Sequence, residues 1–314
     1  MSNVINLFEN AKEPVGYGPA DFDIDQAPLT YITDDGIRRA SKHIIYRTDN
    51  GNELGIHGSR YSDLYDLSYK RMIDNQRECI HKSNLNLDGL AEDIQVSHNG
   101  AKCFVRHTLP EVKLRTPGDD KAALTFLSVS SLDGTFPFIS TTGANQDACM
   151  NGQVFTSGAA TMYRARHTKK LDVDHAARIM HEAVDTFETE VDKWFIWSEI
   201  GVNHMDAFLI FAKTANATAV FKWKEEYPQS PVSEMLLQPK IYSNTALMYM
   251  WNMYTSHYFK KMGANQWAVY NTLTDWSTHA PAARESSQVN IASISYIREQ
   301  KVRETVINNF AEAA

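Results

Sequence analysis

Cysteine is scarce in this sequence, and the few cysteines are too scattered to organise a fold. The 314 residues contain three, Cys79, Cys103 and Cys149. An odd number at such long spacings forms neither a disulfide framework nor the closely spaced pairs of a zinc site. We therefore expect reduced thiols in a cytoplasm, with Cys149 a buried structural residue and a nucleophilic role for it as the alternative.

Long apolar runs are missing as well. No stretch of about 18 apolar residues occurs in the chain, although a helix needs roughly that length to cross a membrane. Residues 1–14 lack the basic and apolar segments of a secretory signal. The sequence therefore predicts a soluble, unsecreted protein that makes no membrane contact.

Motifs that bind nucleotides or metals are also wanting. Gly16-Tyr17-Gly18 is a lone Gly-x-Gly that follows no predicted strand, and no G-x-x-x-x-G-K-[ST] loop occurs. His175 and His181 are six residues apart, whereas a helical zinc pair needs a spacing of four. We therefore assign no catalytic residue and no metal ligand, and we expect no cofactor.

Basic residues are outnumbered by acidic ones. The chain has 31 Lys and Arg against 38 Asp and Glu, a formal net charge of -7. Phosphate binding is driven by cations that displace counterions, so the molecule as a whole does not attract nucleic acid. Any surface that binds nucleic acid must be local.

The N-terminal residues 1–41 are rich in Asp, Pro and Gly. In the segment DFDID, residues 21–25, aspartates alternate with apolar residues ahead of Pro28. This composition favours an extended or mobile acidic arm.

Turn dipeptides dominate the next part of the chain. Asn50-Gly51, Asn99-Gly100 and Asp133-Gly134 each separate two short apolar runs, which predicts three hairpins and hence an antiparallel sheet. A type I′ turn is expected at Asn50-Gly51. Apolar residues at helical spacing predict a helix over about 62–82. Residues 42–200 are therefore predicted to be an antiparallel α+β domain.

The pattern becomes helical in the second half. Alternation in TMYRARHT, residues 161–168, predicts one more strand, and a helix is expected from Asp172 until Gly201 ends or breaks it. Further helices are predicted at 203–213, 243–261, 264–276 and about 285–312, with a proline-rich connector between the first two of them. The predicted fold class is α+β: an antiparallel sheet of hairpins with helices, followed by a mostly α-helical half, residues 201–314, packed on it.

Local basic clusters provide the best functional candidate. On a strand, Arg164 and Arg166 would lie side by side on one face, with an interleaved tyrosine available to stack on bases. Two smaller clusters occur near residue 40 and around Trp223, which Lys222 and Lys224 flank. Each cluster has the alternative interpretation of a solvated face. The residues predicted to bind nucleic acid are Tyr163, Arg164, Arg166, His167, Lys169, Lys170, Arg38, Arg39 and Lys42.

Two separated motifs carry a family resemblance. The first contains Ser131, Asp133-Gly134, Cys149, Asn151 and Arg166-His167-Thr168, and the second contains Trp267, Asn271, Thr274 and His279. In this order they resemble the phage- and plasmid-encoded proteins grouped as the domain-of-unknown-function 932 family, over most of the chain from Lys42 onward. The resemblance implies a phage or plasmid origin, a place near replication and recombination functions, and location in the host cytoplasm. It implies no established activity.

The order of hairpin, helix and hairpin is broadly similar to the core of annealing proteins related to the Rad-type single-strand annealing family. Those proteins bind DNA as oligomers without hydrolysing nucleotides. Our leading hypothesis is therefore a phage-encoded, non-enzymatic nucleic-acid-binding protein of DNA replication or recombination, which binds or anneals single strands. The expected partners are single-stranded DNA, further copies of the same chain, and a phage or host replication protein.

Two alternatives remain open. One is a nuclease-like enzyme whose site assembles from Cys149, Asn151, His167 and His279. The other is an interaction or scaffold protein of phage takeover, in which the acidic arm and the aromatic helices contact a protein partner.

Overall fold

The strands precede the helices along the chain. The computed structural model describes residues 4–6, 16–58, 68–82, 85–118, 121–146, 151–154, 162–165, 175, 189, 191–281 and 291–310. Antiparallel sheets occupy the N-terminal half, and the chain is mostly helical from residue 191 onward. The predicted α+β class is confirmed.

Ten strands form two antiparallel sheets in the described residues. The larger sheet has the order β1-β5-β6-β7-β8-β10, with β9 also paired to β8, and the smaller sheet has the order β2-β3-β4. The strands are β1 Val4–Asn6, β2 Ile24–Thr33, β3 Gly36–Arg47, β4 Glu53–Gly58, β5 Ala91–Ser97, β6 Lys102–Arg115, β7 Lys121–Ser131, β8 Phe138–Gln146, β9 Asn151–Val154 and β10 Met162–Ala165.

The three predicted hairpins are confirmed as β3–β4, β5–β6 and β7–β8. The type I′ turn at Asn50-Gly51 is wrong, because that turn needs positive φ at both residues and of the two only Gly51, at φ 71°, has it. The chain uses a longer loop instead. The amide of Arg47 donates to Asn52 O at 3.0 Å, and the amide of Gly51 donates to Arg47 O at 2.9 Å.

The N-terminal segment does not end where the arm was predicted to end. β2 and β3 pair from Ile24 opposite Arg47 to Thr33 opposite Gly36, with a register shift between Pro28 and Thr30. β3 therefore crosses the boundary placed between residues 41 and 42, and residues 24–33 and 36–41 are extended strands of a sheet. The division into an arm, an α+β domain and a helical region is otherwise still a prediction.

A helix covers part of the larger sheet. α1 runs from Tyr69 to His81 with Ser68 as its N-cap residue, while residues 62–67 of the predicted helix lie outside the described residues. Its buried residues Met72 and Ile73 belong to one apolar cluster with Ile45 of β3 and Val105 of β6. This cluster joins both sheets.

Nine α-helices follow α1 in the described residues. They are α2 at 191–199, α3 His204–Thr214, α4 Thr218–Glu226, α5 Val232–Met235, α6 Pro239–Tyr242, α7 Thr245–Met253, α8 Phe259–Met262, α9 Gln266–His279 and α10 Ile291–Asn309. A π-helical turn, Tyr254–Tyr258, joins α7 to α8. The four predicted helices of this half are confirmed. α4 was not predicted, and the proline-rich connector contains the short helices α5 and α6.

The helical half has an aromatic core. Trp267 of α9 stacks on Trp194 and on Tyr270, each with ring centroids 5.6 Å apart. Leu247 of α7 and Tyr254 of the π-helical turn are buried in this core. Within the described ranges, no helix combines the length and the apolar character that a membrane crossing requires.

Candidate nucleic-acid interface

The outer part of the β2–β3 hairpin carries the predicted cluster near residue 40. We call residues 30–39 the distal ribbon: here β2 and β3 pair with each other, whereas the pairing of β3 to β4 covers only Lys42 to Tyr46. Arg38 and Arg39 lie on the distal ribbon, and Lys42 lies at its base opposite Gly58. All three side chains are exposed.

Pairing assigns the side chains of the distal ribbon to two faces. Residues directly opposite each other in an antiparallel pair share a face, and successive residues alternate. Ile32 lies opposite Ile37, while Tyr31 lies opposite Arg38. We call these the isoleucine face and the tyrosine face.

Each face combines an exposed apolar group with a cation. Ile32 is 85% exposed and Ile37 is 74% exposed, and Arg39 follows two residues after Ile37 on the same face. On the other face Tyr31 is 53% exposed beside Arg38. A base is an aromatic surface and a phosphate is an anion, so the ring and the guanidinium of the tyrosine face have the chemistry that binds a nucleotide.

Two aspartates at the tip oppose this charge. Asp34 and Asp35 form the turn between the strands, and Asp35 Oδ2 lies 3.7 Å from Arg38 Nη2. Both partners are more than half exposed, so the pair is screened and weak. Arg38 therefore remains able to bind an external phosphate.

The base of the hairpin is fixed to the body of the protein. Ile45 of β3 and Leu54 of β4 are both 2% exposed in the cluster under α1. The Arg47 guanidinium lies 4.0 Å above the Phe22 ring, and Lys70 of α1 contacts Asp23, with 2.9 Å between Nζ and Oδ1. The distal ribbon therefore extends from a rigid base.

A buried ionic network holds the segment before β2 against α1 and the sheet. Arg77 of α1 donates to both carboxylate oxygens of Glu92, at 2.6 and 2.8 Å, and to Gly16 O at 3.0 Å. His107 of β6 contacts Glu92 Oε2 through Nε2 at 2.7 Å. Burial alone would raise the pKa of Glu92, but the hydrogen bonds from Arg77 and His107 outweigh it and lower that pKa to about 2.

The protonation of His107 follows from the same network. Burial lowers the pKa of His107, against the opposing effect of Glu92, so the ring is neutral at pH 7. Because Glu92 is ionised and accepts only, Nε2 carries the proton and donates. Arg77 then supplies the positive charge that Glu92 needs.

The predicted basic strand is described only in part. Arg164 is exposed on β10, opposite Ile139 of β8, whereas Arg166, His167, Lys169 and Lys170 lie outside the described residues. Tyr163 is half-buried and packs edge to face on Phe138 at 5.9 Å and on His175 at 5.4 Å. Tyr163 thus belongs partly to the core, in the same cluster as the base of the ribbon.

In the predicted basic cluster around Trp223, the side chains make local contacts. Trp223 packs against Tyr227 with 4.3 Å between ring centroids and the ring planes tilted by 34°, and it donates through Nε1 to Ser230 Oγ at 2.9 Å. Lys224 donates to Pro228 O. This cluster stabilises the end of α4.

The first motif of the resemblance is explained in part by turn geometry. Ser131 Oγ donates to Phe136 O and accepts from the Phe136 amide, both at 2.9 Å. Asp133 accepts from the amide and the hydroxyl of Thr135, at 2.9 and 2.6 Å, and Gly134 has φ 74°. These residues close the β7–β8 turn.

The second motif lies in a buried helix. Asn271 donates to Trp267 O at 2.8 Å and Thr274 donates to Asn271 O at 3.0 Å, so these contacts remain within α9. Asp275, which the sequence analysis did not single out, accepts from Tyr249 at 2.6 Å and Tyr258 at 2.8 Å. Burial and the bond to Asp275 raise the pKa of Tyr249.

The residues of the enzyme hypothesis are only partly described. Asn151 begins β9, which packs against α9, and His279 ends α9 with Nδ1 4.0 Å from Asp275 Oδ2. Cys149 and His167 lie outside the described residues. In the described part of the chain, no three His, Cys, Asp or Glu side chains are grouped as metal ligands would be.

The sequence analysis missed Tyr31, Ile32 and Ile37. A clue was present, since TYIT and IRRA flank Asp34-Asp35-Gly36 in the same way as strands flank the other three turns. The aspartate and proline content of the segment was interpreted as an arm instead.

Comparison with known proteins finds a family model that matches most of the chain. Residues 54–297, more than half of the sequence, match the family model described as a domain of unknown function (DUF932). The matched segment begins in β4, so the distal ribbon precedes it. No curated protein and no solved structure matches the chain.

Proposed function

We propose that this chain, which belongs to the DUF932 family of unknown function, is a non-enzymatic nucleic-acid-binding protein that holds single-stranded DNA on its distal ribbon. One observation carries the proposal: Tyr31 lies opposite Arg38 on an exposed face of a two-stranded ribbon. The proposal rests on this chain's own residues, since the family assigns no activity.

The tyrosine face suits a single strand better than a duplex. Unpaired bases have free π-faces that stack on aromatic rings, and the adjacent cation binds the phosphate of the same nucleotide. Bases in a duplex are stacked on each other and present only their edges. Tyr31 and Arg38 together therefore favour an unpaired strand.

The net charge of the molecule limits the affinity. At a net charge of -7 the protein repels a polyanion at long range, and attraction is confined to the ribbon with Arg38, Arg39 and Lys42. Three phosphate contacts correspond to a salt slope of roughly -2 for a single strand. Binding is expected to be modest for one chain and stronger when several chains bind one strand.

The proposal also includes the cellular process, the location and the partners of the protein. Single-stranded DNA is exposed during replication and recombination, so the protein acts there, in the cytoplasm of the host of a phage or plasmid. Homo-oligomers and a phage or host replication protein are its proposed partners. Arg164 and the basic residues 166–170 are proposed as a second phosphate contact.

The test is fluorescence anisotropy of a labelled oligonucleotide across a salt series. Arg38→Glu/Arg39→Glu reverses two adjacent charges on the ribbon and is expected to abolish binding while leaving thermal unfolding unchanged. Lys260→Glu/Lys261→Glu is the matched control, because it reverses two adjacent exposed charges on α8. Equal affinity of the ribbon variant and the wild type would overturn the proposal.

A further inference from the structure

The most exposed large apolar side chain in the described residues lies at the tip of the ribbon. Ile32 is 85% exposed, and Ile37, its cross-strand neighbour, is 74% exposed. Scattered apolar residues on a surface are ordinary, but two that stand side by side form an apolar edge. The proposed binding of DNA by Tyr31 and Arg38 uses the opposite face and does not account for the two exposed isoleucines.

The surrounding charges restrict what the isoleucine face can bind. Arg39 lies on the same face, two residues along β3 from Ile37, and Arg38 projects from the other face. Asp34 and Asp35, beyond the isoleucines, repel phosphates from the extreme tip. A phosphate backbone is therefore attracted to the arginines, which directs the isoleucines toward the bases.

Apolar side chains that enter nucleic acid act as wedges. Isoleucine inserted between two bases unstacks them, and this costs least where the bases are already unpaired or at the end of a duplex. Ile32 and Ile37 lie one residue pair from the end of the ribbon, where Thr33 pairs with Gly36, so their side chains and not the ribbon itself enter the base step. Its base is fixed through Ile45 and the Arg47 contact with Phe22.

We infer that Ile32 and Ile37 form a wedge that unstacks bases at the junction between single-stranded and duplex DNA. This rests on the proposed function and deepens it, since it names the junction as the substrate. Arg39 binds the phosphate next to the unstacked step, and Tyr31 with Arg38 holds the adjacent single strand.

The test uses a forked DNA with 2-aminopurine at the junction, a base whose fluorescence rises when it is unstacked. Wild-type protein is expected to raise the fluorescence. Ile32→Ser/Ile37→Ser is expected to lose this rise, with an affinity that falls by less than about tenfold because the cations remain. Leu237→Ser is the matched control, since Leu237 is 78% exposed in the helical half.

The outcomes separate the two proposals. Binding by the wild type without any rise in fluorescence would overturn the wedge and leave the nucleic-acid function in place. Absence of binding would overturn both. A third result, in which light scattering shows that the serine variant dissociates an oligomer while the fluorescence rise persists, would assign the isoleucines to a contact between protein chains and overturn the wedge.

Discussion

Tyr31 and Arg38 lie directly opposite each other on β2 and β3, so an aromatic ring and a guanidinium share one exposed face. The pairing arises from the register of the hairpin, in which Thr33 is opposite Gly36 and each earlier residue of β2 meets a later residue of β3. A shift of one residue would move Arg38 to the face of Ile32. The chemistry of the ribbon therefore depends on its turn.

Removing the tip carboxylate near Arg38 is expected to strengthen binding. Asp35 lies 3.7 Å from Arg38, and Asp35→Asn frees that cation from its competitor. An exposed pair of this kind is worth about 0.2–1 kcal/mol, so the affinity for a single strand should rise by up to roughly fivefold. Isothermal titration calorimetry at low salt measures the affinity of Asp35→Asn for a single strand. An affinity equal to or below that of the wild type would contradict the role of Arg38.

The tyrosine ring is expected to contribute through stacking alone. Tyr31→Ala should cost about 1–3 kcal/mol of binding free energy without changing the salt slope, because no charge is removed. Tyr31→Phe keeps the ring and should bind as the wild type does. The affinities of the wild type and the two variants are measured across a salt series. If the phenylalanine variant lost as much affinity as the alanine variant, stacking by the ring would be excluded.

The turns could be predicted from the sequence because their cause is local. Asn99-Gly100 and Asp133-Gly134 set the chain reversal with their own backbone, and the hairpins around them are present. The β2–β3 hairpin escaped prediction because Pro28 argues against a strand. The structure places Pro28 in β2 at the edge of its sheet, beside a register shift, where a missing amide is tolerated.

The site was harder to predict than the fold. Arg38 and Arg39 are visible as a run of charge, but Ile32 and Ile37 look like residues that one face of a strand turns toward a core. Their exposure depends on the hairpin extending beyond β4, which no local pattern encodes. The contact of Glu92 with Arg77 is equally hidden, since it joins a strand to a helix 15 residues earlier.

A close approach of two backbones makes one glycine necessary. A Cβ on Gly55 of β4 would lie 2.1 Å from Leu132 O, and backbone cannot move aside as a flexible side chain does. Gly55→Ala should therefore destabilise the protein by about 1–3 kcal/mol or more. Gly58→Ala, on the same strand with no atom within 4 Å of its Cβ, is the matched control. Urea denaturation compares them, and equal midpoints would contradict the tight contact.

The buried network predicts how stability depends on acid. The pKa of Glu92 is lowered from 4.5 to about 2 in the folded protein. A lowered pKa stabilises the fold above the unfolded value, and this contribution is lost as the pH falls from 4.5 toward 2. Glu92→Gln removes the buried carboxylate that Arg77 and His107 contact and should cost about 3–5 kcal/mol at pH 7.

Measuring both proteins at several pH values distinguishes the loss of the ionised Glu92 from a general loss of stability. At pH 7 the Glu92→Gln variant should be far less stable than the wild type, and the difference should shrink as both are unfolded in urea at lower pH. Glu78→Gln on α1, the helix that carries Arg77, is the control, because Glu78 pairs with Lys82 at the surface and its loss should cost little. A difference between Glu92→Gln and the wild type that stays constant from pH 7 to pH 3 would show that folding does not lower the pKa of Glu92, which would contradict the network.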